Sequence, residues 1–234
     1  MIAIVTGASS GIGREFVRQI DSKNFDEIWL VARRKERLEE LSQSIKSKSK
    51  IFALELTEDE SFEIIKKKLE EENPQVGLLV NAAGLGYPEY FKDLGLYKNA
   101  ETVRVNSESL TKMTSLVLPY CKEGSAIINI GSVAAFIPQP KFATYAASKS
   151  YVLSFSRALN RELRDQKISV SCLCPNPVNT EFFRNSKKSQ ANKIKSLGLE
   201  DIEKLVAKSL RLCHKKDLVT NHPLAGGVKI ISKI

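Results

Sequence analysis

The chain is poor in the side chains that hold metals and carry redox chemistry. Its 234 residues include two histidines and four cysteines. His214 and His222 have no cysteine or acidic partner at ligand spacing, which argues against a structural metal. Cys121, Cys172, Cys174 and Cys213 form no CxxC pair, so a reducing compartment is the default. Cys172 and Cys174, two apart in a strand-like run, would face one side and pack in a core. No uninterrupted apolar run approaches the roughly 18 residues that a bilayer crossing requires. The first strand-like run begins directly after Met1, leaving no room for a targeting segment, so a soluble, cytoplasmic protein is expected. The lysine clusters Lys46/Lys48/Lys50, Lys66-Lys67-Lys68 and Lys187-Lys188 contain no interleaved aromatics. The net charge of +9, from 36 Lys and Arg against 27 Asp and Glu, therefore reads as solvated helix faces, with neither nucleic acid nor membrane as partner. Internal repeats and interdomain linkers are also missing, so residues 1–234 are expected to form one domain.

What the chain does contain is an alternation of strand-like and helix-like segments. Ile2 to Thr6 is a continuous apolar run of the kind that a parallel strand buried on both faces requires. Further strands are expected over Glu27–Val31, Lys50–Leu56, Val76–Asn81, Ser125–Ile130 and Lys167–Cys174, with a last short one near Asp217–Thr220. Helical patterns separate them: one carries Phe16, Val17 and Ile20, the next Leu38, Leu41 and Ile45, the next Asp59 to Glu72. A long helix is expected from about Tyr97 to Cys121, another from Tyr145 to about Arg164, and a last from Glu200 to Cys213. This rhythm predicts an α/β fold, a doubly wound parallel sheet with helices on both faces and right-handed crossovers. Residues 181–199 are polar and basic with little apolar periodicity and read as a mobile substrate lid.

Two places carry chemistry. The first strand runs into Gly7-Ala8-Ser9-Ser10-Gly11-Ile12-Gly13 and then a helix, the arrangement that turns free backbone N–H groups and a positive helix end toward a phosphate. Its Gly-x-x-x-Gly-x-Gly spacing differs from the Gly-x-Gly-x-x-Gly fingerprint, and tight packing of strand on helix would also explain it. In such a sheet the end of the second strand meets the adenosine ribose, where an acidic residue suits NAD. Arg33 and Arg34 stand there instead, with Arg14 just after the glycine turn, and arginine suits a 2′-phosphate. Tyr145 and Lys149 form the second place. Four apart, they share one helix face, and an ammonium beside a phenol of ordinary pKa about 10 makes an acid/base pair in outline.

Taken together, Thr6 to Gly13, Asn81-Ala82-Ala83-Gly84, Asn106, Ser132, Tyr145-x-x-x-Lys149 and Pro175-Asn176-Pro177-Val178-Asn179-Thr180 resemble, in order and spacing, the short-chain dehydrogenase/reductase family. The resemblance covers Met1 to about Thr180. It implies a Rossmann fold and an oxidoreductase that transfers a hydride between nicotinamide and a carbonyl or secondary alcohol. In that likeness Tyr145 is the general acid/base, and Lys149 lowers the tyrosine pKa and holds the nicotinamide ribose. Ser132 hydrogen-bonds the substrate oxygen, and Asn106 keeps a water in a proton relay. Cofactor contacts are implied at Gly7, Ser9, Ser10, Gly11, Ile12, Gly13, Arg33, Arg34, Glu55, Asn81, Ala82, Gly84, Tyr145, Lys149, Pro175, Asn176, Val178 and Thr180, with NADP(H) preferred. Three departures accompany it. Ala82 replaces an asparagine, Glu55 stands where the family has aspartate, and Asn176 replaces a glycine that asparagine would best substitute at positive φ.

Tyr87, Tyr90, Phe91, Phe136, Phe142, Phe182 and Phe183 fall in the stretches expected to wall the substrate, which implies an apolar site for a 3-oxoacyl compound, a ketone or similar. The family commonly pairs through the helices holding Asn106 and Tyr145, so a homodimer or homotetramer is expected. The alternative is a cofactor-sensing interaction protein without turnover; such proteins often lose the tyrosine or lysine, and this chain keeps both.

Overall fold

The computed structural model describes residues 1–21, 23, 25–178 and 199–221. Strand β1 (Ile2–Thr6) is buried at all five positions. Its alternating side chains feed both faces of the sheet, which is why the run is apolar without a break. Ala3 and Val5 pack under Phe16, Val17 and Ile20 of α1 (Gly11–Ile20) and Leu38 and Leu41 of α2 (Lys35–Ser44). Ile2 and Ile4 pack on the other side, with Phe62, Ile65 and Leu69 of α3 (Asp59–Glu72). A side chain such as Phe16, fully buried, contributes about 1.5–3 kcal/mol by leaving water.

Among the described residues seven strands are ordered β3-β2-β1-β4-β5-β6-β7, and every neighbouring pair is parallel. They comprise β2 (Glu27–Ala32), β3 (Lys48–Ala53), β4 (Val76–Asn81), β5 (Cys121–Ile130), β6 (Ser169–Leu173) and β7 (Leu218–Val219). This is the expected doubly wound, Rossmann-type sheet. Because β1 lies between β2 and β4, the chain changes direction across the sheet there and opens a crevice at the strands' C-terminal ends.

After β4 come α4 (Phe91–Leu94) and α5 (Leu96–Val103), then α6 (Ser109–Val117); α7 (Ala143–Glu162) follows β5 and α8 (Ile202–Leu212) precedes β7. The long helix expected from Tyr97 to Cys121 is thus not uniform: residues Arg104–Glu108 form a π turn and Leu118–Tyr120 a 3₁₀ turn. The π turn carries Asn106, and such bulges recur at functional sites. β3 stops at Ala53, so Glu55 lies in the following turn, where its carbonyl accepts from Glu58 N at 3.1 Å and from Ser61 Oγ at 2.7 Å. β5 begins four residues earlier than the apolar pattern suggests, with Gly124 at φ 84° beside the register shift in its pairing with β4. The expected lid, apart from Leu199, and the C-terminal stretch from His222 lie outside the described residues. Among the described residues no helix is long and apolar enough to cross a membrane.

Candidate active site

Gly7 and Gly11 bend the chain out of β1 with φ of 65° and 53°, a region that L side chains adopt at a cost. Space is as demanding as conformation. A Cβ on Gly7 would stand 2.7 Å from the backbone of Ala82 and Ala83, and one on Gly13 would stand 2.4 Å from the carbonyl oxygen of Gly7. The first turn of α1, free of acidic residues, therefore opens into the crevice with its amide end forward. Thr6 locks the neighbouring strand end, its Oγ1 accepting from Ala82 N and Ala83 N at 3.1 Å each.

A cleft of about 830 Å³ fills the crevice. Gly7, Ser9, Ser10, Gly11, Ile12, Gly13, Arg33, Arg34, Glu55, Ala82, Gly84, Pro175, Asn176 and Val178 all line it, together with Ser132, Tyr145 and Lys149. At one end Arg34 Nη2 donates to Ser9 Oγ at 3.2 Å and Ser10 Oγ at 2.9 Å. Arg33 Nη1 pairs with Glu55 Oε2 at 3.2 Å. Arg14 is not part of the lining; its Nε is buried without a partner among the described residues.

One expected contact falls elsewhere. Asn81 points into the protein interior: its Nδ2 donates to Thr114 Oγ1 at 3.0 Å and Asn129 Oδ1 at 2.9 Å, and Asn129 continues to Ser156 Oγ at 3.0 Å. That buried chain ties β4, β5, α6 and α7 together. Thr180 lies outside the described residues.

At the other end, β5 delivers Ser132 and α7 delivers Tyr145 and Lys149. Ser132 and Tyr145 line this end of the cleft together, and Ser132 Oγ accepts from Ala134 N at 3.1 Å, capping a 3₁₀ turn over Val133–Ala135. Burial pushes the Tyr145 phenol up to about 12; the Ser132 side chain opposes this and nearby Cys174 adds to it. Burial also brings the Lys149 ammonium down to about 8. Lys149 Nζ donates to the Ile130 carbonyl at 2.8 Å and lies 5.8 Å from the Tyr145 ring centre.

Asn106 stands just outside the cleft wall and holds the segment after β4. Its Oδ1 accepts from Leu85 N at 2.9 Å, and its Nδ2 donates to Leu85 O at 2.8 Å and Ser148 Oγ at 2.9 Å. Gly84 lets that segment approach, since a Cβ there would stand 3.3 Å from Asn106 Oδ1 and 3.4 Å from Lys149 Nζ.

Asn176 does not have the positive φ that its glycine-like position suggests. Its amide is instead held by Glu200 Oε2 at 2.8 Å, while Glu200 N donates to Pro177 O at 3.0 Å. Neither Glu200 nor this clasp is legible in the sequence, because the partners are 24 residues apart. Cys172 and Cys174, expected in the core, are there, but they also floor the site. Their sulfurs are 3.6 Å apart, and a Cβ on Gly131 would stand 2.7 Å from both. Among the aromatics expected to wall the cleft, Phe142 does so, whereas Tyr87, Tyr90, Phe91 and Phe136 do not, and Phe182 and Phe183 lie outside the described residues. No cluster able to hold a metal occurs among the described residues.

The arrangement joins a glycine turn and a basic pocket to a half-buried phenol and hydroxyl and a buried ammonium, a set suited to protonating an oxygen beside a bound nucleotide. Comparison with known proteins agrees. Residues 1–191 match the family model described as short chain dehydrogenase. Very-long-chain 3-oxoacyl-CoA reductase from Homo sapiens is 33% identical over 192 residues, covering 78% of this chain and 61% of that protein. Hydroxysteroid dehydrogenase-like protein 1 from Gallus gallus is 32% identical over 219 residues, covering 84% and 65%. The chain thus spans less than two thirds of the length of these relatives. In fold it resembles a short-chain dehydrogenase from Sphingobium yanoikuyae in complex with NADPH, with TM-score 0.85, 24% identity and coverage of 99% and 92%. It also resembles a 3-ketoacyl-(acyl-carrier-protein) reductase from Brucella melitensis complexed with NADH, with TM-score 0.82, 24% identity and coverage of 94% and 96%. The chain thus belongs to the short-chain dehydrogenase family.

Proposed function

We propose that this protein is an NADP(H)-preferring oxidoreductase that reduces a carbonyl, or oxidises the matching secondary alcohol, in a largely apolar site. The observation that carries this reading is that Ser132, Tyr145 and Lys149 line one end of a single cleft whose far end is the glycine turn. The residues present fit a dinucleotide. The amide end of α1 with Ser9 and Ser10 would hold the diphosphate, Arg33 and Arg34 a 2′-phosphate, Glu55 the adenine side, and Lys149 with Pro175 to Val178 the nicotinamide side. When bound, the cofactor supplies or takes the hydride.

In reduction Tyr145 gives its proton to the carbonyl oxygen, and Ser132 donates a hydrogen bond to the same atom as charge develops there. Lys149, charged below about pH 8, stabilises the phenolate left behind and draws a ribose hydroxyl into place. The phenol, held up to about 12, stays protonated at neutral pH and is poised as an acid. Asn106 fixes the wall beside Lys149 through Leu85. The relatives named above suggest a 3-oxoacyl thioester or a similar ketone as substrate. Pairing of two chains through α5 to α7 is part of the same proposal, since Val103 and Tyr151 are 45% and 43% exposed on those helices and exposed apolar side chains that line up mark contact surfaces.

The test is NADPH oxidation against a panel of ketones, aldehydes and 3-oxoacyl thioesters. Turnover of at least one class is expected. NADPH binding with no turnover of any would instead indicate a cofactor-sensing protein.

A further inference from the structure

Gln139 is a neutral polar side chain set in an apolar wall. The loop between β5 and α7 contributes Val133, Ala134, Ile137 and Phe142 to the cleft beside Ser132 and Tyr145, and Leu85 and Val105 add to the same lining. Gln139 comes from that loop, between Pro138 and Pro140. A residue before proline is confined to extended backbone, and the Gln139 carbonyl accepts from Phe142 N at 3.1 Å. The Phe142 ring meets the Tyr145 ring edge-on at 5.2 Å. The position of Gln139 is therefore coupled to the first turn of α7 and to the phenol.

Among the described residues the Gln139 carboxamide makes no hydrogen bond. It is half-buried, and a ligand that shields it from solvent must supply its hydrogen bonds. Charge at this end is already committed. Lys149 is bonded to the Ile130 carbonyl, Lys141 sits 4.7 Å from the Tyr90 ring centre, and Arg33 and Arg34 are occupied at the far end. What the loop between β5 and α7 offers a substrate beyond Ser132 is thus the neutral amide of Gln139, which matches a neutral carbonyl oxygen better than a carboxylate.

We propose that Gln139 is a specificity-determining residue that donates from Nε2 to a second carbonyl oxygen of the substrate, the ester or thioester carbonyl next but one to the reacting ketone. The site then favours 3-oxoacyl esters and thioesters over simple ketones and over free 3-oxo acids. This rests on the oxidoreductase reading above.

The experiment compares kcat/KM on a 3-oxoacyl N-acetylcysteamine thioester and on a 2-alkanone of equal chain length, for the parent protein, Gln139→Leu and Gln139→Asn. NADPH affinity checks that each variant is folded. The parent is expected to prefer the thioester. Gln139→Leu should lose about 3- to 10-fold on the thioester, the worth of one neutral hydrogen bond, with the ketone changed by less than about twofold and NADPH binding intact. Gln139→Asn, with its amide one methylene shorter, should fall between. Equal losses on both substrates, or an unchanged thioester rate, overturn the inference and leave the oxidoreductase reading standing. No turnover of either substrate by the parent overturns both.

Discussion

Lys149 Nζ donates a 2.8 Å hydrogen bond to the backbone carbonyl of Ile130, the last residue of β5. The bond ties the catalytic face of α7 to the strand that presents Ser132 two residues later. It also keeps the ammonium where burial lowers its pKa to about 8.

That lowering sets a pH dependence. Below about pH 8 Lys149 carries its proton and can stabilise a phenolate; above it the charge is lost. The kcat/KM for carbonyl reduction reports the free protein's ionisations, so it should be level below pH 8 and fall up to tenfold per pH unit above. Tyr145, held up to about 12, should add no limb below about pH 10. Steady-state rates across the range check this, and a profile that stays flat through pH 9 contradicts it.

Cofactor choice rests on the basic pocket. Arg34 Nη2 is already oriented by Ser9 and Ser10, and hydrogen bonds to charged groups are worth about 1.5–3 kcal/mol. Replacing Arg33 and Arg34 together by alanine should raise the NADPH Kd by about 10- to 100-fold. NADH should change by less than about threefold, having no 2′-phosphate to lose. Equal affinity of the parent protein for the two cofactors would defeat the NADP assignment.

The packing of α1 on the glycine turn predicts a stability effect. In Gly13→Ala the new methyl would stand 2.4 Å from Gly7 O and 2.8 Å from Gly7 C, both backbone atoms with no rotamer to yield. Overpacking of this kind costs about 1–3 kcal/mol or more, and urea unfolding should show a midpoint shift of that size. A variant as stable as the parent would mean that the turn relaxes freely.

Glu200 should matter through Asn176. Removing the carboxylate in Glu200→Ala frees the Asn176 amide and the Asn221 side chain, which Glu200 Oε1 holds at 2.7 Å. NADPH affinity should drop about 3- to 10-fold, the worth of one hydrogen bond, since the loop from Pro175 to Val178 lines the cleft. Glu200→Gln, which keeps an acceptor, should recover most of it. Equal behaviour of the two variants would remove Glu200 from the site.

The sheet was legible because buried parallel strands are continuous apolar runs, and Ile2 to Thr6 or Val76 to Asn81 can be little else. The short glycine turn and the Tyr145 and Lys149 pair were legible because their spacing is local. Contacts between distant segments were not. The inward turn of Asn81 depends on Thr114 and Asn129, the clasp on Asn176 depends on Glu200, and the sulfur floor depends on β6 passing under Gly131. The π turn at Asn106 was hidden for another reason: its residues read as ordinary helix, and only packing against Leu85 and Ser148 makes the extra residue per turn worthwhile.

The central claim is that the Tyr145 hydroxyl delivers the proton. Its most direct test is turnover by Tyr145→Phe, a change that removes one oxygen and leaves the ring packed against Phe142. The account predicts that kcat for carbonyl reduction falls by about 10²- to 10⁴-fold, the range for loss of a general acid, while NADPH binds as in the parent protein. Activity within a few-fold of the parent would contradict it.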